Sequence, residues 1–402
     1  MSTGNGHNRY RVAHIITRLI RGGADRVVLD CIANLDHDRF QVDLMVGGQS
    51  ELDWIEVPRE VDRLVFIPSL VREVNPVYDL SALWAIYRKI KERQYDIVHT
   101  HTAKAGFLGR LAAHLAGTPY VVHHLHGITF PPGLPWISRK FYMGLERLAA
   151  RWTDSILPVG HDLSEVYQRN KIGNPEQYHV IHYPIRLAPF INARNLPQEE
   201  INELRAGLGI QPHDLVIGNV GRLVKGKGFR YYIEAAKLVA AKHPNLKFLI
   251  VGEGPLRRFL ERRISRNGLS DRIIFTGFRT DVHKVMALFD IFAFTSLWEG
   301  VAQVMVQSAA LGKPIVTFSV EGARELVRDC HNGYIVPSKD VPALADRLDE
   351  LCSRPELRAQ MSRSMVEVFR PEEWSIDAVV RKLALLYENN VSHTREDAAV
   401  AK

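Results

Sequence analysis

The sequence predicts an α/β protein of two Rossmann-like, doubly wound domains, and three observations carry that expectation. The chain has 402 residues, longer than one ordinary core, and a domain of this kind takes roughly 150. Short apolar, β-branched runs alternate with amphipathic stretches of helical length, the pattern of parallel βαβ units. A strand, a glycine-rich turn and a helix occur twice, once near Gly22 and Gly23 and again from Gly221 to Gly228, and each opens such a domain.

In the first half, VAHIIT reads as a strand. The glycine pair and a helix over Ala24–Asn34 follow, then strands over Phe40–Val46 and Leu64–Ile67 and a helix over Tyr78–Arg93. YDIVH is the next strand. It enters a helix over Ala105–Ala116 whose Gly106, Gly109, Ala112 and Ala113 allow close packing on a sheet. Tyr120–His124 is a strand, and Ser155–Val159 and Tyr178–Ile181 complete the set. The polar, proline-broken NARNLPQ is the candidate linker. The expected organisation is a first domain over 1–191, a linker region over 192–212 and a second domain over 213–370. A helix over 371–391 returns across the junction, and 392–402 is a disordered tail.

In the second half the strand LVIGNV runs into GRLVKGKGF. Gly221, Gly226 and Lys227 match a phosphate-binding P-loop, but Gly228 stands where the magnesium-binding Ser or Thr belongs. What remains is a glycine turn presenting Arg222 and Lys227, two cations suited to a diphosphate. Strands over Phe248–Val251, Ile273–Thr276, Phe289–Thr295, Ile315–Phe318 and Tyr334–Val336 follow. A helix starts at Glu321–Glu325, and 340–389 is helical throughout. The stretch TSLWEGVAQVMVQSAALGKP places Glu299 and Gly300 before a helix expected to begin near Val301. The amides of Gly300, Val301, Ala302 and Gln303 would then meet a phosphate or sugar. Gln307, eight residues beyond Glu299, would lie two turns on and on the same face.

Composition narrows the partners. Net charge is +7, but Lys and Arg exceed Asp and Glu by only 22 to 19 in residues 1–190 and 30 to 26 beyond, with no basic stripe for nucleic acid. Three scattered cysteines give neither a disulfide framework nor a zinc knuckle and fit a reducing compartment. No uncharged apolar run approaches the roughly 18 residues that span a bilayer. Segment 130–152 mixes prolines, aromatics and basic residues. It reads either as a peripheral membrane contact or as an ordinary amphipathic helix, and apolar spacing at Phe141, Leu145 and Leu148 favours the second. Five histidines, His99, His101, His123, His124 and His126, fall at two strand ends. With no nearby Cys or carboxylate pair to complete a metal shell, ligand contact by His126, just before Gly127, is preferred to a metal.

The ordered set GRLVKGKG, VGEGP, FTGFRTDV and TSLWEGVAQVMVQSAALGKP, with TRLIRGGA and HTHTAKAGFLGRLAA before it, resembles the family-4 retaining glycosyltransferases. The similarity covers nearly the whole chain. It implies the GT-B fold, two Rossmann-like domains facing each other across a cleft, and a cytoplasmic enzyme, at most peripheral at the inner face of the membrane. Such an enzyme moves a sugar from a nucleoside-diphosphate donor, UDP-linked here, to a glycan or lipid-linked acceptor of bacterial surface polysaccharide, with no metal and no other cofactor. Arg222 and Lys227 would hold the diphosphate, and Glu299 with the Gly300–Gln303 backbone the donor sugar. Gly22 and Gly23 would approach the phosphates, and His126 the reaction centre. Two departures stand out: Gln307 replaces a ribose-binding glutamate, and IHYPIRLAPF lacks the usual Asn-Gly pair and following acid. A nucleotide-sugar 2-epimerase of the same fold and a weakly active sugar-nucleotide-binding protein are the alternatives.

Overall fold

The computed structural model describes residues 9–20, 23–131 and 133–400. The chain forms two compact units, Met1–Ile185 with Glu372–Lys402, and Arg186–Pro371.

The first unit runs β1 (Tyr10–Ile16), α1 (Gly23–Asn34), β2 (Phe40–Gly47), β3 (Arg63–Ile67), α2 (Pro76–Arg93), β4 (Ile97–His101), α3 (Ala103–Ala116), β5 (Tyr120–Leu125), α4 (Trp136–Ala150), β6 (Ser155–Pro158) and α5 (His161–Arg169). The strands form one parallel sheet in the order β3-β2-β1-β4-β5-β6. Strand β1 therefore feeds β2 on one side while β4 returns on the other, and the switch point lies between β1 and β4. The edge strand β3 is largely exposed, but the central strands are covered on both faces, so β4, β5 and β1 from Val12 onward read as unbroken buried runs. Helix α3 sits close to the sheet because a side chain at Gly106 or Gly109 would come within 2.4 Å of His123 or 2.7 Å of Thr100. Helix α2 is started by Asn75, whose side chain accepts from the Val77 and Tyr78 amides, with Pro76 in its first turn.

The second unit contains α6 (Ala188–Asn192), α7 (Gln198–Gly207), β7 (Leu215–Val220), α8 (Phe229–Ala240), β8 (Leu246–Val251), α9 (Arg257–Arg266), β9 (Ile273–Gly277), α10 (Val282–Ala287), β10 (Ile291–Phe294), α11 (Gln303–Ala310), β11 (Ile315–Phe318), β12 (Gly333–Val336), α12 (Val341–Ser353) and α13 (Pro355–Val368). Its parallel sheet has the order β12-β11-β10-β7-β8-β9, with the switch point between β7 and β10. Helix α14 (Ile376–Val400) belongs to the first unit, and Tyr387 on it is fully buried there against Phe40 and His99.

Several local expectations need correction. Tyr178–Ile181 is no regular strand. It makes one bridge at Tyr178, and its His179 and Ile181 amides bond to the Ile156 and Pro158 carbonyls of β6. The linker region 192–212 carries α7. Residues 321–325 are turns, the region 340–389 is divided at Arg354 and again between Val368 and Ile376, and α14 continues through Val400 where a disordered tail was expected. On α4 the buried positions are Met143, Glu146, Ala149 and Ala150, while Phe141 and Leu148 are exposed. The cause is a buried ion pair. Arg110, 1% exposed, reaches Glu146 Oε2 at 2.8 Å and turns the polar residue inward.

Candidate functional site

In an open parallel sheet, ligands collect beyond the carboxyl ends of the strands at the switch point. In the second unit those ends are the loops after β7 and β10, and several contacts stitch them into one surface. The Leu297 amide donates to the Gly226 carbonyl (2.8 Å), Asn219 Nδ2 to Thr295 Oγ1 (3.1 Å), and Thr295 Oγ1 to the Lys227 carbonyl (3.2 Å). Gly228 has φ +65° and any Cβ there would lie 1.9 Å from the Thr295 carbonyl oxygen. Glycine is needed for both reasons. Beneath them the loop after β8 supports the first. Leu223 donates to the Glu253 carbonyl (2.9 Å), and the backbone of Gly252 packs directly on Gly221. From the other side Gly322, φ +77°, brings the turn after β11 against Gly300.

On this surface Lys227 Nζ and Glu299 Oε1 form an ion pair, with the side chains 28% and 17% exposed. The Lys227 ammonium lies 6.0 Å from the Phe294 ring centre. Arg222 is exposed on the same loop, and among the described residues its guanidinium has no partner. Glu299, Gly300, Val301 and Ala302 are not helical. Helix α11 starts at Gln303, two residues later than expected, and no side chain caps it at Ala302. A helix N-terminus carries partial positive charge that favours an anion. The later start removes the helical phase that related Gln307 to Glu299. Gln307 is instead one turn beyond Gln303 on α11, half-buried. Chemically the surface can hold a diphosphate between two cations and a helix N-terminus, with a carboxylate beside it for hydroxyl groups.

In the first unit Gly22 lies outside the described residues, and Gly23 opens α1. The loop after β1 is joined to β4 by Thr17 Oγ1 and Thr102 Oγ1 at 2.7 Å, and Thr17 Oγ1 accepts from the Ala105 amide. Asp25, in the first turn of α1, accepts from the Ile20 amide at 3.2 Å, and burial pushes its carboxyl up to about 6.

His99, His101, His124 and His126 do come together, joined by His14 of β1, which sequence reading missed because it lies more than 80 residues away in the chain. His123 does not join them. Successive side chains on a strand alternate in direction, and it packs on α3 with Thr100 Oγ1 at 2.9 Å from its Nδ1. Burial lowers His14 to about 3 and His126 to about 4, and holds His99, His101 and His124 well below the usual range, so the cluster is uncharged at neutral pH. His126 Nε2 is 3.1 Å from His101 Nδ1, and its ring stacks on Tyr183, whose hydroxyl donates to the His126 carbonyl.

Comparison with known proteins places these units. Residues 200–366 match the family model for glycosyl transferases group 1, and residues 22–184 that for a glycosyl transferase 4-like domain. The chain is 30% identical over 349 residues to the UDP-Gal:alpha-D-GlcNAc-diphosphoundecaprenol alpha-1,3-galactosyltransferase of Escherichia coli, covering 85% of this chain and 88% of that one. Among solved structures, Anabaena HepE in complex with UDP and glucose superposes with a TM-score of 0.76 at 22% identity, over 95% of this chain and 100% of the other. WaaG, a glycosyltransferase involved in lipopolysaccharide biosynthesis, superposes with 0.73 at 18% identity, over 94% and 99%.

Proposed function

Since the chain belongs to the family-4 glycosyltransferases of the GT-B fold and is a glycosyltransferase, we propose that it transfers a sugar from a UDP-linked donor, with retention, to a lipid-linked or glycan acceptor in bacterial surface polysaccharide synthesis. The observation that carries the donor half is the cationic surface at the β7/β10 switch point. There the Arg222 guanidinium has no partner among the described residues, Lys227 is paired with Glu299, and Ala302 gives the start of α11 no side-chain cap.

In this reading Arg222 and Lys227 hold the diphosphate, and the backbone from Gly300 to Gln303 meets the phosphate and donor sugar. Glu299 accepts from sugar hydroxyls. As the glycosidic bond breaks, negative charge grows on the leaving diphosphate, and fixed cations with the α11 dipole stabilise it without reorganising. These groups do the work at the phosphates that a magnesium ion does elsewhere, and no divalent ion is assigned there. Retention follows if the acceptor hydroxyl attacks from the face the diphosphate leaves, a phosphate oxygen taking its proton. Gln307 takes the ribose as a neutral acceptor, with bonds weaker than a carboxylate's by about 1 kcal/mol. His126, uncharged, and Gly23 with its neighbour Gly22 are assigned to the first unit's share of substrate contact.

The acceptor half rests on the E. coli relative, whose name specifies a diphosphoundecaprenol-linked substrate, and on α4. Its exposed face carries Trp136 (72%), Ile137 (66%) and Phe141 (56%), with Lys140 and Arg147 between and beyond them. Aromatic and aliphatic groups flanked by cations suit the interface of an anionic membrane. Among the described residues no helix is long and apolar enough to cross a bilayer. Contact is accordingly peripheral, and the free thiols of Cys31, Cys330 and Cys352 fit the reducing, cytoplasmic face.

Thermal unfolding with UDP, GDP or ADP, without added divalent ions, tests the donor assignment. A ligand bound only by the folded state stabilises it by RT ln(1 + [L]/Kd), about 2.7 kcal/mol at a hundredfold excess over Kd. UDP alone is expected to raise the midpoint. A shift with GDP or ADP but not UDP refutes the UDP assignment. Incubation with UDP-sugars and a polyprenyl-diphosphate-sugar acceptor must then release UDP and extend the acceptor. An isomerised donor instead refutes transfer.

A further inference from the structure

Five imidazoles share one face of the first unit's sheet, and donor binding uses none of their interior nitrogens. His14 pairs in register with His99, and His101 with His124. The two-residue period of a strand keeps His99 with His101 and His124 with His126. His14, His99, His101 and His124 are each 1% exposed. A neutral imidazole has one N–H and one lone pair, and the partners here are few. His14 Nδ1 lies 2.9 Å from His101 Nε2, His101 Nδ1 3.1 Å from His126 Nε2, and His99 Nδ1 2.5 Å from the Tyr387 hydroxyl. His99 Nε2 is buried with no hydrogen-bond partner. In the tautomer that carries its proton on Nδ1, facing the Tyr387 hydroxyl, that nitrogen keeps a lone pair and no donor to meet it. A buried polar atom left unmet destabilises the fold.

His14, His99 and His101 each offer one ring nitrogen, and these three atoms lie within 4.8 Å of one another. A tetrahedral ion with metal–nitrogen bonds of about 2.0–2.1 Å needs ligand nitrogens about 3.3–3.4 Å apart. The 2.9 Å between His14 and His101 is within half an ångström of that, and imidazole rings adjust through the broad χ2 torsion. We propose that His14, His99 and His101 form a three-histidine site for a zinc-type divalent ion. The outer nitrogen of His99 is held by Tyr387 and that of His101 by His126. Such outer bonds set the tautomer and ring orientation of metal-bound histidines. An all-imidazole set selects zinc, cobalt, nickel or copper over magnesium or calcium, so this is no phosphate-bridging ion. It ties β1 to β4 and, through Tyr387, the sheet to α14.

The test uses the full chain purified without metal-affinity resin. Elemental analysis is run on it directly, and again after unfolding in chelator and refolding with Zn2+ or Co2+. About one equivalent of metal is expected to survive gel filtration, with cobalt giving the visible bands of a tetrahedral nitrogen site. Tyr387→Phe should weaken retention by about 10- to 100-fold, and His123→Asn, on the opposite face, should leave it unchanged. Less than roughly a tenth of an equivalent in both native and refolded protein overturns the proposal. So does a cobalt spectrum with thiolate charge-transfer bands, which would move the metal to a cysteine. Because the spectrum is read on the unmodified chain, a variant that fails to fold does not weaken the test. UDP binding is read in the second unit and is independent of the outcome.

Discussion

Lys227→Ala separates what the Lys227–Glu299 pair does for the fold from what Lys227 does for the ligand. In the free protein the pair is partly exposed, 28% and 17%. Losing it costs under about 1 kcal/mol of stability, because the released carboxylate regains water. In the proposed donor complex the ammonium makes a charge-assisted contact to the diphosphate worth about 1.5–3 kcal/mol, a 10- to 150-fold change in Kd at 1.4 kcal/mol per decade. Since Lys227 already holds Glu299 before the ligand arrives, part of that contact replaces an existing one, and the loss should fall near the lower end. Glu299→Gln works in the opposite direction. It frees Lys227 and removes a negative charge beside the phosphates, so UDP should bind more tightly while sugar transfer falls. Isothermal titration with UDP, alongside urea denaturation of each variant, reads both quantities. Unchanged UDP affinity in Lys227→Ala refutes the clamp, as does a Glu299→Gln variant that loses as much UDP affinity as Lys227→Ala.

Three further outcomes follow from the same geometry. Gly228→Ala places a methyl 1.9 Å from the Thr295 carbonyl at φ +65°. The left-handed backbone alone costs about 1–2 kcal/mol, so denaturation should show a larger loss and UDP binding should fall with it, whereas a neutral result would mean the loop is not built as described. Asp25, raised from 3.8 to about 6 in the fold by burial, contributes stability that is complete below pH 3.8 and lost as pH rises through 6. The loss is about 3 kcal/mol at 1.36 kcal/mol per unit. Asp25→Asn should therefore flatten the stability profile between pH 4 and 7, and parallel profiles for the two proteins would exclude it. In vesicle sedimentation, Trp136→Ser with Phe141→Ser should reduce binding to anionic phospholipid while leaving UDP affinity unchanged, and wild-type protein that ignores anionic vesicles would remove α4 from the membrane.

Much of the proposed donor surface was legible because its signals are local. The glycine turn after LVIGNV, with Arg222 and Lys227 five residues apart, and the acidic–glycine step at Glu299 and Gly300 are each set by a few adjacent residues. The strand pattern was legible for the same reason, since a fully buried parallel strand needs a continuous apolar run whatever lies next to it. Readings that needed a distant partner failed. Apolar spacing on α4 suggested Phe141 and Leu148 as a core face, but the Arg110–Glu146 pair, 36 residues apart, decided which side went in. Gly228 was read as a missing magnesium ligand, and its use became visible only when the Thr295 carbonyl lay against it.

By itself, then, the sequence determined two doubly wound units, a cationic glycine loop and a family of sugar-transferring enzymes, because strand and helix periods and turn chemistry are properties of neighbouring residues. Tertiary structure decided which side chains meet. It paired Lys227 with Glu299 across 72 residues and brought His14 to His101 across 87, through strand order in a sheet that places β7 beside β10 and β1 beside β4. Adjacency of that kind comes from sheet topology, which no local run of residues encodes.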